Sequence, residues 1–372
     1  MLLAGFPGVA GHLTRLLAVA QARPRGFDAE FFVLDPGPFA THVTDAGCTP
    51  VVTRTVPLDL WSVSDRDFAV RMLGAWFRRA VAEAMTVMKS IAPDCVVVDT
   101  HWAAMAAATA LDVPTLAVTN AVWTTHRRAL GLADESDFEL FAALFADAAA
   151  PALRAVGVGE QALEALQHGT KTHIADLPAL LGAPLGLDPD TTAGPLLWWP
   201  GASPRVEWPA GDGPTAYMTA GSTGVLRDID AAAMTLAERG WRVVVSGAND
   251  DGVVGNVVRT RFCDPRPLLE TADVAVLHGG SGSLLQALAC GVPVVVVPAN
   301  LDQLAHAELV ERAGAGVMLG PAARAFTVDA VTDLRDDEPA RVRATELASM
   351  IRTEDATATV ARTLSALAGV AV

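Results

Sequence analysis

The sequence predicts an α/β protein with two doubly wound parallel-sheet domains that face each other across a cleft. Strand-like apolar runs alternate with helical patterns along both halves, which is typical of parallel sheets covered by helices. Both halves open with a strand, a glycine-rich turn and a helix, as MLLAGFPGVAGHL and as TAYMTAGSTGVL. The 372 residues, 51% of them hydrophobic, suffice for two buried cores. In such sheets, ligands bind where the strand order reverses, so the cleft would lie between the two reversal points.

In the first half, strands are expected at MLLA, FFVLD, CVVVD and PTLAVT. Helical periodicity covers Asp67 to Ser90, Trp102 to Leu111 and Asp137 to Gln167. In the second half, strands are expected at TAYMTA, RVVVSG, NVVRTRF, DVAVLH, VPVVVVP and GVML, with helices near Ile229–Arg239, Ser283–Ala289 and Gln303–Arg312.

The segment GPLLWWPGASPRVEWPAGDGP between the halves is rich in Pro and Gly and has no clear period, which marks a domain boundary. We therefore expect a first domain over residues 1–196, a linker over 197–213 and a second domain over 214–354. Residues 355–372 are expected to form a C-terminal helix that can cross back to the first domain.

Composition excludes several classes of protein. The net charge of −15 argues against nucleic acid and against anionic lipid as partners. No basic region precedes the apolar start, and no run of about 18 apolar residues predicts a membrane span. The four cysteines are far apart in the sequence and are interpreted as free thiols of a reducing compartment. We expect a cytoplasmic protein, a monomer or homodimer, without a membrane partner.

The most informative stretch is HGGSGSLLQALACGVPVVVVPANLDQ, from His278 to Gln303. A βαβ unit of this kind places a turn and a helix N-terminus at the carboxyl edge of a parallel sheet, where backbone amides favour phosphate. His278 precedes the turn and adds a donor. Asp302 and Gln303 follow the next strand at the same edge and suit hydroxyl groups. Together they predict a nucleotide-sugar site.

A second candidate site combines His12 with Asp99. His12 follows the first strand within Gly5-x-x-Gly8-x-x-Gly11-His12, and a neutral imidazole there can take a proton from a hydroxyl. Asp99 ends the strand CVVVD and could hold that imidazole in one tautomer. The alternatives are a structural or capping histidine and an aspartate that caps the following helix. His101, close by, is interpreted as a wall of the pocket.

Other residues carry weaker signals. Ser222 and Thr223, in the turn after TAYMTA, suit a phosphate or acceptor contact, although a plain glycine turn is the alternative. The Asp-x-Asp pairs, which begin at Asp65, Asp188 and Asp228, do not follow strand edges as a diphosphate-bound metal would need, so no metal is expected. Four tryptophans of the first half are candidates for an apolar acceptor pocket, with core packing as the alternative: Trp61, Trp76, Trp102 and Trp123.

With these residues in place, the chain resembles the inverting glycosyltransferases of family 1, which have the GT-B architecture of two Rossmann-like domains. Bacterial natural-product glycosyltransferases and plant UDP-glycosyltransferases belong to this group. The resemblance covers nearly the whole chain, and it is carried by GVAGHL, by VVVD, by GPLLWWP followed by TAYMTAGSTG, and by the stretch from RFCDPRP to ANLDQ.

The resemblance implies roles for individual residues. His12 matches the catalytic base and Asp99 its partner. The aromatic Phe262 matches a residue that stacks on the nucleobase, Gln286 one that holds the ribose, and Asp302 with Gln303 the pair that reads the sugar. The diphosphate cradle corresponds to His278, Gly280, Ser281, Gly282 and Ser283.

Three departures stand out against the family pattern. Phe262 replaces the usual Trp, and Gln286 replaces a Glu, which leaves the choice between a ribose and a deoxyribose donor open. The first domain is short, which suggests trimmed acceptor loops.

The implied reaction is a single displacement at the anomeric carbon, with inversion and no metal. The donor is a UDP- or TDP-sugar, which is a co-substrate and leaves the enzyme without a cofactor. The acceptor is a small hydrophobic natural product. Alternatives are an NAD(P)-dependent oxidoreductase, which the first glycine turn and Asp35 suit, and a nucleotide-sugar epimerase or lipid-acceptor sugar transferase of the same fold. The oxidoreductase leaves the stretch from His278 to Gln303 unexplained.

Overall fold

The computed structural model describes ten stretches of the chain: residues 1–6, 9–34, 40–53, 66–132, 135–159, 164–182, 186–201, 205–221, 229–320 and 327–369. The chain divides into two compact units. The N-terminal unit comprises Met1–Asp176, Leu185–Leu196 and Asp355–Val372. The C-terminal unit comprises Leu177–Pro184 and Leu197–Glu354.

Seven parallel strands form the sheet of the N-terminal unit: β1 (Leu2–Gly5), β2 (Ala29–Leu34), β3 (Cys48–Thr53), β4 (Val96–Asp99), β5 (Thr115–Thr119), β6 (Lys171–Ile174) and β7 (Thr191–Ala193). Their order is β3-β2-β1-β4-β5-β6-β7, so the strand order reverses between β1 and β4. Every residue of β4 and β5 is buried, as expected for strands with helices on both faces of the sheet.

The helices that precede the end of this sheet are α1 (Ala10–Ala22), α2 (Ala40–Asp45), α3 (Arg66–Ile91), α4 (Trp102–Ala110), α5 (Arg127–Leu130) and α6 (Glu135–Ala155). The alanine-rich α4 is buried from Trp102 to Ala108 and needs small side chains to fit. Helices α3 and α6 approach closely at Gly74, where a Cβ atom would lie 2.9 Å from the carbonyl oxygen of Ala148.

The C-terminal unit has a second seven-stranded sheet: β8 (Thr215–Thr219), β9 (Arg242–Ser246), β10 (Gly252–Val254), β11 (Val257–Thr260), β12 (Val274–Leu277), β13 (Val294–Val296) and β14 (Gly316–Met318). Its order is β10-β11-β9-β8-β12-β13-β14, which reverses between β8 and β12. All pairs are parallel except the hairpin of β10 with β11 at one edge. Six helices belong to this unit: α7 (Ile229–Glu238), α8 (Arg266–Leu269), α9 (Ser281–Ala289), α10 (Leu301–Arg312), α11 (Thr327–Asp336) and α12 (Glu338–Thr353).

The last helix, α13 (Ala356–Leu367), belongs to the N-terminal unit and packs against α1 and β5. Asp355 caps it by accepting a hydrogen bond from the amide of Ala358.

The Pro- and Gly-rich segment after β7 packs on the core of the C-terminal unit. Leu197, Trp199 and Trp208 contact its buried cluster, and Trp208 Nε1 donates to Thr271 Oγ1 at 2.9 Å. The guanidinium of Arg266 lies 5.2 Å from the centre of the Trp199 ring. The segment is therefore anchored by its aromatic residues.

The predicted fold class is confirmed by the two doubly wound sheets. The prediction missed β3, β6, β7 and β10, which are short or edge strands with polar residues. It also extended the helix from Asp137 too far: α6 ends at Ala155, before Gly157 with its positive φ of 79°. The short helix of Glu164–Gln167 is separate. Cys48, Cys95 and Cys263 are buried free thiols, as expected, and Cys290 is a half-buried one.

Among the described residues, no helix combines the length and apolar character that a membrane span needs.

Candidate active site

In the N-terminal unit, the order reversal brings the ends of β1 and β4 side by side. Gly5 pairs with Asp99 in the parallel register. Helix α1 starts five residues after β1 and carries His12 in its first turn. His12 Nδ1 lies 2.7 Å from Asp99 Oδ1. Since a carboxylate only accepts, Nδ1 carries the hydrogen of this bond.

Asp99 is completely buried and is surrounded by donors. Arg15, one turn after His12, donates from Nε to Oδ2 at 2.8 Å and from Nη2 to Oδ1 at 2.6 Å. Thr100 Oγ1 donates to Oδ1 at 3.2 Å. Burial by itself would raise the pKa of Asp99, but the charges and hydrogen bonds of Arg15 and His12 outweigh it and hold that pKa below its usual value. Asp99 is therefore an ionised carboxylate.

The network continues away from His12. Arg15 Nη1 donates to Asn120 Oδ1, and Asn120 Nδ2 donates to Asp176 Oδ1 at 2.6 Å. The second oxygen of Asp176 accepts from the amide of Ala121 at 2.6 Å. The Arg15 guanidinium thus belongs to one hydrogen-bonded network that contains the carboxylates of Asp99 and Asp176.

His101 has a structural role in α4. Its Nδ1 accepts a hydrogen bond from the amide of Ala104 at 3.2 Å, so it caps the helix. Burial lowers the pKa of His101 to about 4. The cap of α4 is His101 and not Asp99, which leaves the Asp99 carboxylate to Arg15, His12 and Thr100.

Aromatic rings surround His12 on the side of α3 and α4. The ring centre of Phe6 lies 6.0 Å from that of His12, 6.0 Å from that of Trp76 and 5.6 Å from that of Trp102. Trp102 lies 6.3 Å from Trp123. All three tryptophans are buried, and Nε1 of Trp102 has no hydrogen-bond partner among the described residues. The tryptophans of the cluster therefore serve as core, as the alternative interpretation of the sequence expects.

In the C-terminal unit, the reversal between β8 and β12 brings Gly221 and His278 together. Cβ atoms on Gly221 and Gly280 would lie 2.3 and 2.5 Å from atoms of the His278 ring, so a side chain at either place would require the ring to move. The ring is buried, and its Nδ1 has no partner in the described part of the chain. Burial lowers the pKa of His278 to about 4, against the weaker opposite effects of Asp302 and the Thr219 carbonyl.

The turn after His278 ends in an open helix N-terminus. Gly280 is the N-cap of α9 and provides no side-chain cap. Ser281, Gly282 and Ser283 form the first turn, and Ser283 Oγ donates to the carbonyl of Gly280 at 3.1 Å. The first amides of a helix have no partner within the helix, so a start without a side-chain cap suits an anion.

The Asp-Gln pair lies beside this turn. Asp302 and Gln303 belong to the first turn of α10, which Asn300 caps. A Cβ atom on Gly279 would lie 2.8 Å from the carbonyl oxygen of Gln303, so the two turns are in contact. The side chain of Gln303 is buried, and its Oε1 accepts from the amide of Ala299 at 2.9 Å.

Comparisons with known proteins identify relatives of the chain. Residues 241–367 match the family described as Erythromycin biosynthesis protein CIII-like, C-terminal domain. The chain is 28% identical over 358 residues to a PGL/p-HBAD biosynthesis rhamnosyltransferase of Mycobacterium bovis, covering 84% of this chain and 78% of the relative. The chain is a GT-B glycosyltransferase.

Solved structures support the fold of this glycosyltransferase. The glycosyltransferase of kitacinnamycin is similar to it with a TM-score of 0.78 and 22% identity, over 98% of both chains. The Streptomyces sp. SF2575 glycosyltransferase SsfS6, complexed with thymidine diphosphate, has a TM-score of 0.73 and 21% identity, over 98% of this chain and 99% of its own.

Two further predicted donor residues of the glycosyltransferase have clear positions. Gln286 of α9 donates from Nε2 to the carbonyl oxygen of Trp198 at 2.8 Å. This bond fixes the amide, which an ionised Glu could not do since it has no donor. Phe262 is half-buried just past β11, and its carbonyl accepts from Thr260 Oγ1 at 3.1 Å.

Some predicted residues of the glycosyltransferase are not placed. Ser222, Thr223 and Trp61 lie outside the described residues. Within the described ranges, no group of three or more His, Cys, Asp or Glu side chains could hold a metal ion.

Sequence reasoning missed Arg15, Thr100, Asn120 and Asp176. The spacing of His12 and Arg15 on one helix, three residues apart, placed them on the same face. That spacing was the available signal for Arg15. For Asn120 and Asp176 the signal was their position just after β5 and β6. No feature of the sequence indicated Thr100, because a threonine does not predict the left-handed φ of 53° that this residue adopts.

Proposed function

We propose that this glycosyltransferase moves a sugar from a TDP- or UDP-sugar to a hydroxyl group of a small hydrophobic acceptor, with inversion at the anomeric carbon and without a cofactor. The observation that carries the proposal is the 2.7 Å bond between His12 Nδ1 and Asp99 Oδ1, because a neutral imidazole that donates from Nδ1 has its lone pair on Nε2. Such an imidazole takes a proton from an acceptor hydroxyl as the oxygen attacks.

The donor is proposed to bind at the β12–α9 turn. His278 Nδ1 is buried and has no hydrogen-bond partner among the described residues, while the ring already contacts the Thr219 carbonyl. A bound diphosphate would favour the charged ring, in which both nitrogens donate, one to the Thr219 carbonyl and Nδ1 to a phosphate oxygen. The first turn of α9 follows directly after this residue. As the bond to the sugar breaks, the diphosphate gains negative charge, which these donors stabilise in place. Phe262 would stack on the base, and Asp302 and Gln303 would bind sugar hydroxyls.

The nucleotide and sugar are proposed from the relatives. One similar structure contains thymidine diphosphate, and one relative is named a rhamnosyltransferase. Gln286 is neutral and bound to Trp198, which suits a deoxyribose with one hydroxyl fewer than ribose. We therefore propose TDP-deoxysugars as the first donors to test.

The acceptor is proposed to lie against the aromatic cluster beside His12. Phe6 is half-buried beside His12, and the buried rings of Trp76 and Trp102 pack behind it, so the surroundings of His12 are apolar and aromatic. This combination favours a largely apolar, ring-containing alcohol or phenol.

The test is an activity assay with TDP-rhamnose, TDP-glucose and UDP-glucose against a panel of phenolic and polyketide acceptors. Mass spectrometry should detect a glycosylated product, and NMR coupling constants should show the anomeric configuration opposite to that of the donor. Retained configuration would overturn the inverting mechanism. Nucleotide release at the same rate without acceptor would indicate a hydrolytic or epimerase-like enzyme instead.

A further inference from the structure

The guanidinium group of Arg15 is buried and lies in direct contact with both members of the His12–Asp99 pair. Arg15 is 4% exposed and donates to both oxygens of Asp99. Its Nη2 also lies 2.9 Å from His12 Nδ1. Arg15, Asp99 and His12 therefore form one cluster of three ionisable groups, in which Arg15 and Asp99 are buried and His12 is partly exposed.

The charges in this cluster decide which form of His12 is stable. Asp99 and Arg15 cancel each other when both are ionised, so a neutral His12 leaves the cluster without net charge. If Arg15 were absent, the fully buried carboxylate would have only His12 as a counter-ion. A buried unpaired charge is costly, so Asp99 would then draw a proton onto the imidazole and make it a cation. A cation cannot act as a base.

The positions of the hydrogens follow from the same contacts. Arginine nitrogens only donate, so Nη2 could bond to Nδ1 only if Nδ1 were unprotonated, with the proton on Nε2. Nη2 is closer to Asp99 Oδ1, at 2.6 Å, than to Nδ1. With both Nη2–H and Nδ1–H directed at Oδ1, Nε2 is the free nitrogen.

The remaining neighbours of His12 contribute little charge. On α4, His101 is held neutral because burial lowers its pKa to about 4. The carboxylate of Glu83 on α3 raises the pKa of His101, but this effect is weaker than that of burial. The ring of Phe6 after β1 and the ring of Trp76 on α3 are apolar. On the far side of the cluster, Asn120 accepts from Arg15 and donates to the carboxylate of Asp176.

We propose that Arg15 is a positioning residue that balances the charge of Asp99, keeps the imidazole of His12 neutral and fixes its proton on Nδ1. The role rests on the proposed function of His12 as base, but the state of the ring is measurable without any sugar transfer. Arg15 contacts no substrate in this account, and it acts through Asp99 and His12.

The test is a histidine NMR titration of the whole protein labelled with 15N in its histidine rings. His12 is assigned by the signal that disappears in His12→Gln. In the wild type, the 15N shifts should show the proton on Nδ1 in the neutral form. A neutral ring protonated on Nε2 would overturn the proposal, and this measurement needs no Arg15 variant to fold.

Two substitutions complete the test. Arg15→Met should raise the titration midpoint of His12 by about 1–3 pH units, the size expected when an adjacent charge changes. Arg15→Lys keeps the charge and should leave the midpoint near the wild-type value. If folded Arg15→Met titrates like the wild type, Arg15 has a structural role only and the proposal fails.

The pH dependence of turnover then separates the two claims. If His12 is the base, the acidic limb of the rate profile should move with its NMR midpoint in Arg15→Met. A moved midpoint with an unmoved rate profile would keep the role of Arg15 and remove His12 as base. An unmoved midpoint with normal sugar transfer would remove the role of Arg15 and leave the proposed function of the enzyme intact.

Discussion

Gly280 and His278 are in direct contact, because a Cβ atom on residue 280 would lie 2.5 Å from Nε2 of the ring. The φ of Gly280 is −63°, which alanine adopts without strain, so only the ring resists substitution. Gly280→Ala should therefore displace His278 without unfolding the chain. We expect the Kd for TDP to rise at least about tenfold, the equivalent of one charge-assisted hydrogen bond, by isothermal titration calorimetry.

The control for this change is Gly252→Ala on the edge strand β10, where an added Cβ meets no atom within 4 Å. Its TDP affinity should equal that of the wild type. Unchanged affinity in Gly280→Ala as well would mean that His278 does not contact the diphosphate.

His12→Ala should lose turnover while it still binds the donor. Removal of a general base typically lowers the rate about 10²–10⁴-fold, and His12 is proposed to contact the acceptor rather than the nucleotide. Steady-state kcat and calorimetric Kd for TDP measure the two effects separately. The control is His42→Ala on α2, which should change neither. Wild-type turnover in His12→Ala would remove this residue from the mechanism.

Gln286→Glu should shift nucleotide preference from TDP toward UDP. The substitution removes the Nε2 donor to the Trp198 carbonyl and adds a carboxylate that can accept from two ribose hydroxyls. We expect the ratio of the Kd for UDP to that for TDP to fall about tenfold, as for one hydrogen bond to a charged group.

The matched control is Gln286→Met, which loses the Trp198 bond but gains no acceptor. It should raise the Kd for TDP and the Kd for UDP by the same factor. An unchanged ratio in Gln286→Glu would place residue 286 away from the ribose.

Much of this arrangement was predictable from sequence. The paired strand–turn–helix openings placed His12, Asp99 and His278 at strand ends, because carboxyl ends of parallel strands share one edge. The contacts of Gln286 with Trp198 were not predictable, since the segment around Trp198 has no regular structure that fixes its register. Arg15 was missed because an arginine in an amphipathic helix is usually exposed, and only the buried Asp99 explains it.

Acid should destabilise the protein through buried histidines. The pKa of His173 falls to about 4 on burial, as do those of His101 and His278, from an ordinary value of 6.5. Between pH 6.5 and 4 the unfolded chain binds more protons than the folded one, so the free energy of unfolding decreases as the pH falls through this window. Each of these histidines lowers the free energy of unfolding by on the order of 3 kcal/mol once the pH has fallen through the whole window.

His173 allows the test, because its Nε2 donates to the carbonyl of Gly194 at 2.8 Å and it is not one of the residues proposed to contact substrate. His173→Gln keeps a donor at that position but does not titrate. Urea unfolding at pH 7 and pH 5 should show a smaller loss of stability than in the wild type. The control His42→Gln should retain the full loss. An equal loss in His173→Gln would show that His173 already titrates normally.

Thr100 combines a strained backbone with a hydrogen bond to Asp99. Its φ of 53° is rare for a β-branched residue and costs about 1–3 kcal/mol. Thr100→Gly should relieve that strain and raise the melting temperature, but it loses the Oγ1 donor to Asp99. Thr100→Val keeps the strain without the donor and should melt below the wild type. A lower melting temperature in Thr100→Gly than in Thr100→Val would contradict this interpretation.

The proposal that His278 and the β12–α9 turn bind a nucleoside diphosphate is tested most directly by thermal shift. TDP, UDP and NADH are compared on the wild type and on His278→Ala. A ligand that binds only the folded state raises the melting temperature, and at equal concentration a tighter ligand raises it more. TDP or UDP should raise the melting temperature of the wild type, and NADH should not. His278→Ala should lose most of the rise that the diphosphate causes. Stabilisation by NADH alone, or an undiminished diphosphate shift in His278→Ala, would contradict the proposal.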